Sequence, residues 1–219
     1  MAESLCTVSI SVVCLVITAV VYLAIAKIRT ESKTVLVFLC LTLAIADLLF
    51  LLGVDKTESQ GGCMALSMLM HFFFLAAFMW MLVEGWLLYR TFTSVFSARF
   101  SDKKRMLPRY CLIAYGVPAL IVAITAGVTG QEGYRSDAYC WLTRTGHTTI
   151  WAFVAPAALI VLVNVALFAR ILAVILKLGD DKRVSVVMRR GFKASLSFLT
   201  VMGMGWGFGL TAIGSPEAP

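Results

Sequence analysis

Six long apolar runs constrain what this chain can fold into more than any other feature of its sequence. Each is close to the length of about 20 residues that an α-helix needs to cross a bilayer. The runs lack the regular polar stripe that is typical of a helix on the surface of a soluble protein. We therefore predict an all-α integral membrane protein with helices at approximately residues 5–26, 35–54, 63–89, 110–130, 150–176 and 194–213.

The composition agrees with burial in lipid. Hydrophobic residues make up 60% of the chain and charged residues 14%, whereas a soluble domain has about 25% charged residues. The first run, which begins at Leu5, has the position of a signal peptide. It is longer than the apolar stretch of about 7 to 15 residues in a signal peptide, and no clear small-residue cleavage site follows it. We interpret it as a retained membrane anchor.

The positions of Lys and Arg predict the orientation, because positively charged loops stay on the cytoplasmic side. Of the 19 basic residues, 16 fall in the first, third and fifth connections between the runs. This predicts that the amino terminus is outside and that the chain ends outside after a sixth crossing. Membrane topology then accounts for the net charge of +7, so we expect lipid and not nucleic acid as a partner of the basic residues.

The six cysteines separate according to this topology. Cys63 and Cys140 both fall on the outer side, the first at the start of the third run and the second in the second outer connection. The outer side is the compartment in which disulfides persist. A bridge between them would hold that connection against the helices, and two free thiols are the alternative. Cys14 and Cys40 lie inside apolar runs and fit as small hydrophobic side chains.

Five motifs follow one another along the chain. They are LCLTLAIADLLF at 39–50, HFFFLAAFMWMLVEG at 71–85, YCWL at 139–142, WAFVAP at 151–156 with a later Asn164, and GMGWGFG at 203–209. Together they resemble the seven-helix domain of adhesion-type G-protein-coupled receptors, which belong to the secretin-like superfamily. The resemblance covers roughly residues 30–213 and includes the pairing of Cys63 with Cys140.

The resemblance implies a receptor that passes an agonist signal from the outer face to a heterotrimeric G protein on the cytoplasmic face. It implies no catalytic chemistry, cofactor or metal. The basic connections would lie near the G protein, and anchoring to lipid headgroups is their alternative role. A secretin-type peptide hormone receptor is the nearest alternative to this interpretation. A six-helix channel or transporter is more distant, because we see no arginine ladder, filter-like loop or inverted repeat.

An aromatic series in the outer half of the third run is our candidate for the wall of an agonist pocket. His71, Phe74 and Phe78 are spaced i, i+3 and i+7, so they share one face of a helix. Ordinary packing of aromatic side chains is the alternative. The resemblance implies that a tethered or extracellular peptide agonist would contact such a pocket and Trp206 of the sixth run. The predicted pocket residues are Phe50, His71, Phe74, Phe78, Trp141, Trp151, Phe153 and Trp206.

Two acidic residues lie inside apolar runs, where a charged side chain costs about 2.5 to 3.5 kcal/mol on insertion scales. The resemblance places Glu84 in a polar lock that opens on activation, and snorkelling near Arg90 is the alternative. Asp47 has three open possibilities: a bound cation, a hydrogen bond to the third or seventh helix, or a protonated carboxyl. The predicted switch residues are Asp47, Glu84, Asn164, Trp206 and Gly209.

The sequence departs from the family pattern in several places. Leu36 and Phe38 stand where many relatives carry His and Asn, and Tyr115 and Thr200 stand where they carry Trp and Pro. With Leu36 in place of His, the sequence names no partner for Glu84. The chain ends at Pro219, and we expect one receptor domain, 1–219, that lacks the seventh helix and the upstream extracellular region. We expect such a domain not to signal alone.

The predicted orientation can be tested by labelling introduced cysteines with a membrane-impermeant maleimide. In intact cells, Ser136→Cys should be labelled and Ser101→Cys should not, because the 16-to-3 distribution of basic residues places them on opposite sides. Permeabilised cells provide the control, in which both positions should react. Labelling of Ser101→Cys in intact cells would reverse the orientation.

Overall fold

The computed structural model describes residues 2–24, 31–53, 60–96, 106–130, 132–134, 140, 142 and 148–177. These ranges contain five α-helices and one short 3-10 turn. Each helix overlaps one of the first five predicted segments, and the predicted sixth segment, 194–213, lies outside the described residues. The helices are α1 at Ala2–Ala24, α2 at Glu31–Gly53, α3 at Gln60–Phe96, α4 at Leu107–Thr129 and α5 at Thr148–Lys177, with the turn at Glu132–Tyr134.

Four of these helices are long and apolar enough to cross a membrane. The spans are Ser32–Leu51, Gly61–Thr91, Leu107–Thr129 and Thr149–Ala173. The remaining helix, α1, contains the apolar stretch Val8–Ala24. The prediction of an all-helical membrane protein is confirmed for the part of the chain that the structure describes.

The chain divides into two compact units, residues 1–166 and 167–219. In the second unit the structure describes only residues 167–177, which are the last part of α5. In the first unit, α3 packs against α2 and α4, and α1 packs against α2. The buried positions of α3 include the small residues Ala76 and Ala77. Small residues let helix backbones approach closely, which is how membrane helices gain packing energy. Thus α3 is the central helix of this unit.

An aromatic cluster connects α2, α3 and α4 at two positions where the sequence departs from the family. Phe38 stacks on Trp80 with ring centroids 5.0 Å apart, and Tyr115 meets Trp80 edge to face at 5.6 Å. The Thr42 hydroxyl donates to the carbonyl of Phe38 at 2.7 Å. The single hydroxyl proton of Thr42 is therefore already in a hydrogen bond. In the 2.9 Å contact between the Thr42 and Tyr115 hydroxyls, Tyr115 is the donor. Phe38 and Tyr115 thus belong to one cluster. Phe38 stacks on Trp80, and Tyr115 contacts Trp80 and donates a hydrogen bond to Thr42.

The stack predicts a measurable loss of stability in Phe38→Leu. Leucine keeps the apolar volume approximately but loses the aromatic pair, which contributes about 0.5 to 1.5 kcal/mol beyond area burial. The melting temperature of the purified protein in detergent should fall. The control is Leu112→Ala on α4, where the side chain is 73% exposed and the effect should stay within about 0.5 kcal/mol. Equal losses in the two variants would contradict a role for the stack.

Candidate functional site

The amino end of α3, which is the outer end in the predicted orientation, is covalently tied to the connection between α4 and α5. Cys63 and Cys140 form a disulfide, and their Cα atoms lie 5.1 Å apart. Both cysteines are buried, and Leu142, two residues further on, is 1% exposed. The bridge predicted from the sequence is therefore present in the structure. It holds this part of the connection against α3.

A second part of the same connection is held by close backbone packing. α4 ends at Gly130, whose φ of +59° lies in the left-handed region, where glycine has no steric penalty. Gly133, in the 3-10 turn, has no room for a side chain, because an added Cβ atom would collide with Thr129. This packing places the next residue, Tyr134, in the interior with no exposed surface.

Tyr134 forms a polar contact with His71 of α3, which is also fully buried. The Nδ1 atom of His71 lies 3.1 Å from the Tyr134 hydroxyl, and that hydroxyl lies 3.4 Å from the carbonyl of Val122 on α4. Burial raises the pKa of Tyr134, and a hydrogen bond with Thr125 partly opposes this shift. The phenol therefore stays protonated at neutral pH and keeps its hydroxyl available to both partners.

His71 also faces α5 at a position where the helix has a free carbonyl. Pro156 lies inside α5 and has no amide proton, so the carbonyl of Ala152, four residues earlier, has no partner within the helix. The main chain of Ala152 interacts with the His71 ring, although the buried Nε2 atom makes no hydrogen bond of standard geometry. His71 thus lies between the 3-10 turn and the outer part of α5.

The structure assembles part of the predicted pocket wall. Phe153 of α5 contacts both His71 and Phe78, with centroids 5.9 and 6.1 Å apart. Phe74 and Phe50 are half-buried, and Phe50 takes no part in the described ring contacts. We call His71, Phe78 and Phe153 the outer cluster. Trp141 and Trp206, which were predicted to belong to the pocket, lie outside the described residues.

Trp151, also predicted to belong to the pocket wall, does not pack on α3 in the described part of the chain. Its side chain is 58% exposed, whereas Phe153, two residues later, packs on α3. Each residue of an α-helix turns the chain by about 100°, so positions i and i+2 point in nearly opposite directions. The two aromatic residues therefore could not both face α3.

The cytoplasmic half of α3, in the predicted orientation, carries the buried carboxyl group of Glu84. This side chain is 8% exposed, so it does not extend to the surface as the snorkelling alternative requires. The Ser32 hydroxyl of α2 donates to Oε1 of Glu84 at 2.6 Å. The other oxygen, Oε2, is buried without a hydrogen-bond partner. The structure thus supplies the partner that the sequence could not name.

The remaining switch residues have different surroundings. Asp47 accepts a hydrogen bond from Ser11 of α1 at 3.0 Å, so its described partner belongs to neither the third nor the seventh helix. Asn164 on α5 is buried, and neither side-chain amide atom has a hydrogen-bond partner. Gly209 lies outside the described residues. Within the described ranges no group of three or more His, Cys, Asp or Glu side chains converges to hold a metal ion.

Sequence reasoning missed Ser32 and Tyr134. Serine in the first turn of a helix is common, and a tyrosine in a loop is not unusual, so neither residue type gave a signal. The missing His at position 36 was the available clue for Ser32, because a buried acid with no imidazole partner requires another donor. For Tyr134, the clue was the preceding Gly133, which indicates close backbone packing.

Known proteins give the same assignment over nearly the whole chain. The model of the seven transmembrane receptor family of the secretin type matches residues 3–218. Mouse adhesion G protein-coupled receptor E5 is 34% identical over 208 residues, which are 92% of this chain and 25% of that receptor. Mouse adhesion G protein-coupled receptor B3 is 38% identical over 159 residues, or 72% of this chain and 10% of that receptor. Human adhesion G protein-coupled receptor L1 is 33% identical over 209 residues, or 93% of this chain and 14% of that receptor.

These matches define the class as a helical membrane receptor. The chain belongs to the secretin family of seven transmembrane receptors and is of the adhesion type. It spans a quarter or less of the length of the E5, B3 and L1 receptors.

The contact between His71 and Tyr134 predicts that Tyr134→Phe destabilises the protein. Removing the hydroxyl leaves Nδ1 of a buried imidazole unpaired, which costs about 1 to 3 kcal/mol. Tyr110→Phe is the matched control, because the Tyr110 hydroxyl is buried without a hydrogen-bond partner and its loss should be neutral or stabilising. Thermal unfolding in detergent measures both. Similar melting temperatures for the two variants would show that the Tyr134 hydroxyl contributes nothing.

Proposed function

We propose that this chain is the membrane core of a signalling receptor that transmits an agonist signal to a heterotrimeric G protein. Membership of the adhesion-type receptors, supported by the match over residues 3–218, carries the proposal. The receptor would act in the plasma membrane with an extracellular amino terminus. The 16-to-3 distribution of basic residues supports that orientation.

Helix α3 would connect the two faces. His71 and Glu84 are 13 positions apart on this helix, which corresponds to about 20 Å along its axis. His71 belongs to the outer cluster, and Glu84 carries the buried carboxyl group. A displacement of α3 relative to its neighbours would therefore change both environments at once. A packed bundle favours such discrete arrangements, because its side chains interdigitate and do not deform continuously.

The outer cluster would contact a tethered or extracellular peptide agonist. The cluster is apolar apart from His71, and Phe78 and Phe153 are half-buried. Apolar walls with a few oriented polar groups are typical of ligand sites. Phe50, Phe74, Trp141 and Trp206 remain proposed members of this site. The disulfide between Cys63 and Cys140 supports the proposal by holding the connection against the end of α3.

The G protein would bind at the opposite face. Glu84 is the proposed switch residue near that face, and Asp47, Asn164, Trp206 and Gly209 are the other proposed switch residues along the helices. The amide of buried Asn164 has no hydrogen-bond partner among the described residues. Its inclusion is supported because a buried amide gains from a partner in a membrane. The basic connections at 90–109 and 177–193 would contact the G protein or anionic lipid.

The proposal is tested with the chain joined to the seventh helix of mouse E5, because we expect the chain alone not to signal. This fusion is the parent, and the cells that express it carry sensors for each class of G protein. The probe is a synthetic peptide copied from the segment that precedes the matched region in mouse E5. We expect activation of at least one G protein above the level in untransfected cells. In Phe153→Ala the concentration for half-maximal response should rise about tenfold, because one lost anchoring contact is worth about 1.4 kcal/mol.

Trp151→Ala is the matched control, since Trp151 is a larger aromatic residue on the same turn of α5 but is 58% exposed. Its potency should stay within about twofold of the parent chain. If the parent activates no G protein while mouse E5 does so in the same cells, the proposed signalling function is wrong. If Phe153→Ala and Trp151→Ala shift the response equally, the outer cluster is not the agonist site.

A further inference from the structure

One hydrogen bond reaches the carboxyl group of Glu84 from the described residues. The Ser32 hydroxyl donates it at 2.6 Å, and Oε2 is buried without a partner. With 8% exposure, Glu84 has little access to solvent. A buried acidic group of this kind is costly unless other groups compensate. The position of Ser32 in the fold indicates which groups offset the cost of burying Glu84.

Ser32 is the second residue of α2. The first four N–H groups of a helix have no partners within it, and the helix dipole gives this end a partial positive charge. A carboxyl oxygen 2.6 Å from a side chain in the first turn lies in that field. The formal charges of Lys33 and Glu31 in the same turn oppose each other, so the positive field at this end comes from the helix dipole. The amino end of α2 therefore offers Glu84 a hydroxyl donor and a favourable electrostatic field.

Leu36, which stands where many relatives carry His, does not contact Glu84 through a polar group. Leu36 lies one turn further along α2 and packs against a cluster formed by Ala19 of α1 with Val37 and Cys40 of α2. Positions 32 and 36 are one helical turn apart on α2, but their side chains have different neighbours. Leu36 packs against the cluster that includes Ala19 of α1, and Ser32 binds Glu84 of α3.

We propose that Ser32 is the positioning residue that holds Glu84 in the resting arrangement of the receptor. This rests on the proposed signalling function and assigns one of its switch contacts. The hydroxyl takes the place of the basic partner that Leu36 cannot supply. A serine has a single proton to donate, so loss of this one bond releases Glu84 from α2. The released carboxyl group favours the signalling arrangement, in which α2 and α3 no longer share this contact.

The test measures basal nucleotide exchange on a purified G protein by the same seven-helix fusion in lipid nanodiscs, without added peptide. The variants are Ser32→Ala, Ser32→Thr, Glu84→Leu and the double variant Ser32→Ala with Glu84→Leu, because leucine removes the acceptor that glutamine would keep. Ser32→Ala should raise basal exchange about tenfold, which corresponds to about 1.4 kcal/mol in the equilibrium between arrangements. Ser32→Thr keeps the hydroxyl and should stay near the parent. In the double variant, Ser32→Ala should add nothing to Glu84→Leu, because leucine offers the hydroxyl no acceptor.

Thr34→Val is the matched control, because it replaces another half-buried hydroxyl in the first part of α2. It should leave basal exchange unchanged. Melting temperatures of the same proteins give a second readout that does not depend on the G protein. They should show non-additive effects for Ser32 and Glu84 if the two side chains interact.

The outcomes distinguish a failure of the role proposed for Ser32 from a failure of the proposed signalling function. Signalling by the parent with no rise in Ser32→Ala, or with additive effects in the double variant, would overturn the role of Ser32. Non-additive melting temperatures with unchanged basal exchange would make the bond purely structural and would also overturn it. A parent that remains silent even with peptide, beside an active mouse E5 control, would instead count against the proposed signalling function.

Discussion

The structure depends on the cost of leaving a polar side chain unpaired in a hydrocarbon environment. Water cannot satisfy such groups inside a bilayer, so a neighbouring helix has to. Helix α3 shows this at both ends of its buried region. His71 meets the Tyr134 hydroxyl, and Glu84 meets the Ser32 hydroxyl. Both contacts join α3 to another part of the chain, so the requirement for partners also determines which elements stay together.

The apolar runs made the helices predictable. A run of about 20 residues without a polar stripe has few alternatives to a membrane helix. The cysteine pair was predictable for a related reason, because the topology placed Cys63 and Cys140 on one side. Trp151 shows what this reasoning leaves open. Its motif placed it in the pocket wall, and its side chain is exposed whereas that of Phe153 packs on α3. Motif membership says nothing about the direction of a side chain.

The contacts between helices could not be predicted from the sequence. Ser32 and Glu84 are 52 residues apart, and His71 and Tyr134 are 63 residues apart. No periodicity within a helix reports such a pairing. The departures from the family pattern were informative only after the neighbours were known. Phe38 and Tyr115 looked like two separate exchanges, yet both contact Trp80, so they form one altered packing arrangement.

The length of α3 has a consequence for the depth at which Glu84 would lie in membranes of different thickness. With 37 residues, the helix is about 56 Å long at 1.5 Å per residue. A hydrocarbon core of about 30 Å and a tilt of about 20° accommodate little more than half of that length. Measured from Cys63, Glu84 lies about 32 Å along the axis, near the inner boundary of the core in the proposed orientation. Membranes of different organelles differ in thickness by a few ångströms. A thin membrane therefore places this carboxyl group among the headgroups, and a thick one draws it into hydrocarbon.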